Sequence, residues 1–210
     1  MIELDHVLIA AADLDAAGRE FEARYGLSSV AGGRHPGWGT ANRIVPLGDT
    51  YLELVAAVEP DEAAGSPFGR WVAAAKTGRP LGWAVRTRKL DVIAGRLGLP
   101  VSTGSRRRDD GLVLRWRLAG MDHAIDDPAL PFFIEWGDGT PLPGRTEAGH
   151  RGGPSRIGQV LLTGDADRIE DWLGAHSLPI AVQAGAPAIA GLVVVRESNR
   201  IAIPGDSGAL

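Results

Sequence analysis

Short apolar runs alternate with helical stretches three times along the chain. The first copy opens with Leu4-Asp5-His6-Val7-Leu8-Ile9, which reads as a strand. Asp13 then stands where a helix N-cap belongs. Phe21 and Tyr25 follow at i, i+4 spacing, and Gly26-Leu27 ends the helix and restarts extended chain. The second copy opens at Leu81-Gly82-Trp83-Ala84-Val85, with a helix from about Leu90 to Leu97 stopped by Gly98-Leu99-Pro100. The third opens at Ile157 to Leu162, with a helix from about Asp165 to Ala175 stopped by Leu178-Pro179.

More strands follow each helix. Ala41 to Leu47 and Tyr51 to Ala57 form a hairpin turning at Gly48-Asp49. Val101 to Arg106, Leu112 to Leu118 and Phe132 to Trp136 follow the second helix. Ile180 to Gln183, Leu192 to Arg196 and Arg200 to Ile203 follow the third, with a turn at Ser198-Asn199. The expected class is α+β: repeated βαβββ modules forming curled mixed sheets, with helices on the outer face. Paired modules at 1–60 and 80–137 are joined by a helix at 66–78. A linker rich in Gly and Pro and a third, shorter module packed on the pair make up 141–210.

Alternation along the strands sorts side chains by face. Leu52 and Leu54 belong under a covering helix, which turns Glu53 with Tyr51 and Val55 into the concave face. In Phe132-Phe133-Ile134-Glu135-Trp136, Glu135 shares a face with Phe133. His6 shares one with Leu4 and Leu8. Each of the three polar groups has a bland reading: a strand Glu facing solvent, or a His bonded to nearby backbone. Set in apolar strands, however, a His and two Glu call for a compensating metal, basic group or cleft water.

Composition narrows the function classes. A net charge of −4 argues against nucleic acid as a partner. The run Arg106-Arg107-Arg108 is followed at once by Asp109 and Asp110 and reads as a solvated turn. With no cysteine, disulfides and thiol chemistry are excluded. The N-terminus lacks a secretory pattern and no run is long enough for a membrane helix, so the expectation is a cytoplasmic protein without membrane partners. The glycine, alanine and arginine content suggests a bacterial source. No H-E-x-x-H, G-x-S-x-G or P-loop occurs.

The order Leu4-Asp5-His6-Val7, Tyr51-Leu52-Glu53-Leu54, Phe133-Ile134-Glu135 resembles the glyoxalase / bleomycin-resistance / extradiol-dioxygenase (vicinal oxygen chelate) superfamily. More narrowly, His35-Pro36-Gly37-Trp38-Gly39-Thr40-Ala41-Asn42 and the stretch from Gly149-His150 into Ile157 resemble its glyoxalase-like domain branch. The resemblance implies a cleft with a divalent metal (Mn, Fe, Ni or Zn) held by a first-strand residue and a last-strand Glu of each module. His6, Glu53 and Glu135 match such positions. Gly82 or Trp83 occupies the remaining one, so the set is incomplete and the cleft would otherwise be metal-free.

Two functions follow as expectations. One is an enzyme acting on an oxygen-bearing small molecule, a lyase, isomerase or dioxygenase, with Glu53 and Glu135 as catalytic groups. Without metal, Glu53 would be a lone general base or be held by Arg43 or Arg115. The other is a metal-free protein that sequesters an aromatic or cationic compound, as in drug resistance. His35, Trp38, Thr40, Asn42, Arg43, Arg115 and Trp116 are the expected ligand-contacting residues. The resemblance also allows a homodimer, because modules of this superfamily often pair between chains; three modules in one chain could instead complete the cleft internally.

Overall fold

Two βαβββ units close on each other to make one barrel. The computed structural model describes residues 1–107, 111–197 and 199–205. The first unit is β1 (Glu3–Ala10), α1 (Leu14–Tyr25), β2 (Val30–His35), β3 (Thr40–Leu47) and β4 (Thr50–Ala57). After α2 (Pro60–Gly65) and α3 (Pro67–Ala74) comes the second unit: β5 (Pro80–Arg86), α4 (Leu90–Leu97), β6 (Val101–Arg107), β7 (Val113–Ala119), α5 (Met121–Asp126) and β8 (Phe132–Trp136). The strand order is β1-β4-β3-β2-β6-β7-β8-β5, closed. In each unit the first strand lies parallel to the last, β1 to β4 and β5 to β8. The units join where β1 runs antiparallel to β5, and again where Arg34 of β2 meets Arg107 of β6.

Local chemistry sets the helix limits. Asp13 accepts a hydrogen bond from the Ala16 amide at 2.7 Å, and Gly26 ends α1 in the left-handed conformation at φ 66°. Gly98 ends α4 in the same way at φ 68°. The link between the units is two short helices rather than one helix over 66–78. Ser66 separates them and caps α3 by accepting from the Gly69 amide at 2.8 Å.

Alternation divides the barrel cleanly. Val7, Ile9, Val45, Leu52, Leu54, Val85 and Phe133 point outward into a large apolar cluster beneath α1, α4 and the remaining strands. Leu8, Val55, Ala84, Leu114, Trp116, Leu118, Phe132 and Ile134 point inward. Helices α3 and α5 are not confined to the outer face: Phe68, Val72 and Ala124 join the interior cluster and plug the barrel.

Beyond a short 3-10 turn at Pro143–Arg145, the chain continues through β9 (Ser155–Thr163), α6 (Ala166–Leu173), β10 (Ile180–Gln183), β11 (Ala188–Arg196) and β12 (Asn199–Pro204). This segment repeats the chain order of the first two, but its own sheet order, β10-β9-β11-β12, differs from theirs. Its first strand pairs parallel with the strand that directly follows its helix, and its last strand only forms a hairpin with β11. The sheet covers the outside of the barrel through Ile157, Val160, Leu192 and Val194. His150 fastens the linker: its Nδ1 accepts from the Ser28 amide at 3.0 Å, and its Nε2 lies 2.6 Å from the Pro46 carbonyl. Among the described residues no helix is long and apolar enough to cross a membrane. Residues 108–110 and Ser198, where solvated and tight turns are expected, lie outside the described residues.

Candidate functional site

One end of the barrel interior gathers the polar side chains that the strands bury. The decisive local feature is an irregularity in β1, whose register against β5 shifts between Leu4 and His6. Strict alternation would leave Leu4 with His6. The shift instead turns Leu4 outward and brings both Asp5 and His6 to the inner side, where each is almost fully buried. Asp5 Oδ1 lies 2.6 Å from His6 Nδ1, and Asp5 Oδ2 accepts from Trp136 Nε1 at 2.9 Å. Such a short contact is that of a charge-assisted bond.

Glu53 faces His6 from β4. Its Oε2 lies 3.4 Å from His6 Nε2, and its Oε1 accepts from Asn42 Nδ2 at 2.7 Å. His35 approaches the same carboxylate at 3.7 Å, and its Nδ1 is 2.8 Å from Thr40 Oγ1. Arg106 NH1 donates to Asn42 Oδ1 at 3.3 Å. Tyr51 stacks on His6 with centroids 4.6 Å apart. Burial pushes its phenol well above the ordinary range, and the Asp5 and Glu53 charges add to that. Burial also holds His35 down at about 4 against the pull of Glu53, so its ring is neutral near pH 7.

Tryptophans wall this group in. His35, Trp38, Phe68 and Trp116 contact one another edge-on or tilted, and Trp136 packs against Trp116 at 5.5 Å. The remaining void among them is about 30 Å³, room for a water or two. Trp38, Trp116 and Trp136 also border a much larger outer cleft of about 1560 Å³. They are the partition between chamber and cleft.

The structure sorts the sequence expectations by face. His6, His35, Trp38, Asn42, Glu53 and Trp116 line the chamber, and Thr40 is buried beside His35. Arg43 points outward to Asp15 and Ser29, and Arg115 borders the outer cleft, so neither holds Glu53. Glu135 is not brought to the others. It shares the outer face of β8 with Phe133, as alternation predicts, and its carboxylate pairs with Arg117 at 2.9 Å. The face expected to be concave is the outer one at β8, because Phe132, Ile134 and Trp136 fill the inside.

Two chamber residues escape sequence reading. Arg106 is buried within the barrel, not solvated as expected. The polar strand Val101 to Arg107 shows no apolar alternation that would mark its inner face. Asp5 is hidden by the bulge. Only the uncommon pair Asp5-His6 inside an apolar run hints at it.

The family model described as "Glyoxalase-like domain" matches residues 4–176. The chain belongs to the glyoxalase-like domain family. No curated protein matches the sequence. Among solved structures, a hypothetical protein from Staphylococcus aureus is similar at TM-score 0.64 and 16% identity, over 96% of this chain and 84% of that one. That likeness shows a shared fold. A methylmalonyl-CoA epimerase from Mycobacterium tuberculosis matches at TM-score 0.41 and 21% identity, over 63% and 85% of the two chains. A variant methylmalonyl-CoA epimerase from Streptomyces coelicolor, in complex with 2-nitronate-propionyl-CoA, matches at 0.44 and 23%, over 63% and 94%.

The glyoxalase-like fold raises the question of a divalent metal, and the donors present do not fit one. Glu135 is on the far side of the β8 backbone. Gly82 and Trp83 fill the first-strand position of the second unit. Asp5 engages one nitrogen of His6, and the Asn42 amide donor takes one oxygen of Glu53. Among the described residues no group of three or more His, Asp or Glu side chains is arranged to hold an ion.

Proposed function

We propose that this glyoxalase-like protein binds a small oxygen-bearing molecule in the barrel chamber and moves a proton at a carbon next to its carbonyl. Glu53 takes the proton. The electron pair of the broken C–H bond passes to the carbonyl oxygen as an enolate, and the Arg106 guanidinium stabilises that charge in a site closed to water. The Glu53–His6 pair carries protons that equilibrate with solvent between turnovers, and it returns one of them to carbon on either face, which makes the reaction an isomerisation. Every step uses side chains of this chain alone.

The observation that carries this reading is the line Asp5–His6–Glu53. One imidazole sits between two buried carboxylates, 2.6 Å from the first and 3.4 Å from the second. A single proton between His6 and Glu53 then has two positions, and Asp5 orients the ring and offsets its charge when it is imidazolium. Asn42 fixes the other oxygen of Glu53, so the base presents one defined lone pair. The void of about 30 Å³ requires the tryptophan partition to move before a ligand enters.

The test is solvent deuterium incorporation. Small 2-substituted carbonyl acids and thioesters are incubated with the protein in D₂O and followed by proton NMR. Exchange at the carbon next to the carbonyl in the wild type, abolished in Glu53→Gln with ligand binding retained, supports proton transfer. Ligands that bind tightly without any exchange would leave a sequestering protein instead.

A further inference from the structure

The outer cleft carries an uneven set of charges. Arg86 is paired with Glu3, Arg145 with Asp49, and Arg117 with Glu135 and Asp91. Arg88, Lys89 and Arg115 also border the cleft, are exposed, and have no carboxylate partner among the described residues. Among those residues, Asp138 is the one acidic side chain lining the cleft without a cation partner there. Arg115 lies two residues from Arg117 on the same outer face of β7. Arg117 reaches Asp91 in the first turn of α4, and Arg88 and Lys89 directly precede that turn. The three cations therefore converge on one wall. Lys89 occupies the N-cap position of α4 without a side-chain cap, so the positive end of that helix borders the same cleft. Like charges collected in a concave surface focus the field and favour a counter-charge.

We propose that this wall is a binding site for an anionic group, a phosphate or a carboxylate, held by Arg88, Lys89 and Arg115. The cleft adjoins the tryptophan partition, so the group is the tail of a ligand whose other end enters the chamber. That extension rests on the proton-transfer reading; the anion site does not.

The test uses the intact protein with inorganic pyrophosphate and, separately, succinate as probes, read by intrinsic fluorescence, since Trp116 and Trp136 border the cleft. Saturable binding is expected for at least one probe, weakening steeply with salt. The variant R88Q/K89Q/R115Q weakens it by about tenfold or more, while R19Q/R156Q/R200Q, which removes the same charge elsewhere on the surface, leaves it unchanged. A preference for pyrophosphate identifies a phosphate tail, and a preference for succinate a carboxylate tail. Glu53→Gln retains the binding even if the chemistry is lost, so the two proposals fail separately. Absence of saturable binding for both probes, or equal loss in both triple variants, overturns the site.

Discussion

The side chain of Asn42 lies over Gly32: a methyl group at Gly32 would sit 1.9 Å from Asn42 Oδ1 and 2.7 Å from its carbonyl oxygen. The bare backbone of β2, irregular in its pairing between Ala31 and Gly33, is what lets Asn42 fold inward and donate to Glu53. Gly32→Ala should therefore destabilise the fold by about 1–3 kcal/mol and displace Asn42. Asn42→Ala removes most of the clash but leaves Glu53 Oε1 without its donor, at a cost of about 1–3 kcal/mol. Denaturant unfolding of the two single variants and the double variant checks this. The double variant is expected to lose clearly less than the sum, and strict additivity would show that the two residues do not meet.

His35 gives the protein an acid-side weakness. Its folded-state pKa of about 4 lies below the ordinary 6.5, because burial disfavours the charged ring. The unfolded chain thus binds a proton that the folded one refuses between pH 6.5 and 4. Stability falls as pH falls through that window, by up to about 3 kcal/mol from this residue. Above pH 6.5 the residue contributes no slope. Thermal or urea unfolding of wild type and His35→Gln between pH 7 and 4.5 should show a shallower decline in the variant. Parallel curves would mean that His35 is not held neutral.

Much of the fold is legible from periodicity, and the reasons for the misses are local. Strand β2 is overlooked because Gly32-Gly33 interrupts any alternation, yet those glycines let Asn42 and β6 approach. Glu53 is read correctly because Leu52 and Leu54 mark the outer face unambiguously. Glu135 is read onto the correct side of its own strand, with Phe133. Its relation to Glu53 depends on how the second unit curls against the first, and alternation within one strand carries no information about that. The Asp5-His6 pair fails for the opposite reason: a one-residue bulge overrides the period-two rule, and a bulge has no dependable sequence mark.

Glu135 and Glu53 should accordingly behave as unrelated residues. Glu135→Gln loosens an outer-face contact with Arg117 and should leave solvent exchange of a bound carbonyl ligand at the wild-type rate, whereas Glu53→Gln abolishes it. Dialysis against a strong chelator should likewise leave exchange unchanged, because among the described residues the chamber does not assemble three suitable donors. Loss of exchange on chelation, restored by one divalent metal, would require the chamber side chains to rearrange around an ion.

Asp5 provides the sharpest test of the proposed proton path. Its two oxygens serve two donors, His6 Nδ1 and Trp136 Nε1, and Tyr51 also bonds to it. Asparagine at this position has one acceptor oxygen, so its amide nitrogen would confront either the His6 or the Trp136 N–H. If the oxygen stays with Trp136, His6 must change tautomer and direct an N–H at Glu53, which blocks the lone pair that receives the proton. If it stays with His6, the Trp136 contact breaks and the partition loosens. Asp5→Asn should therefore slow exchange about 10²-fold or more. Intrinsic fluorescence separates the two outcomes, since only the second disturbs Trp136. Wild-type exchange in Asp5→Asn would remove Asp5 and His6 from the path and leave Glu53 acting alone.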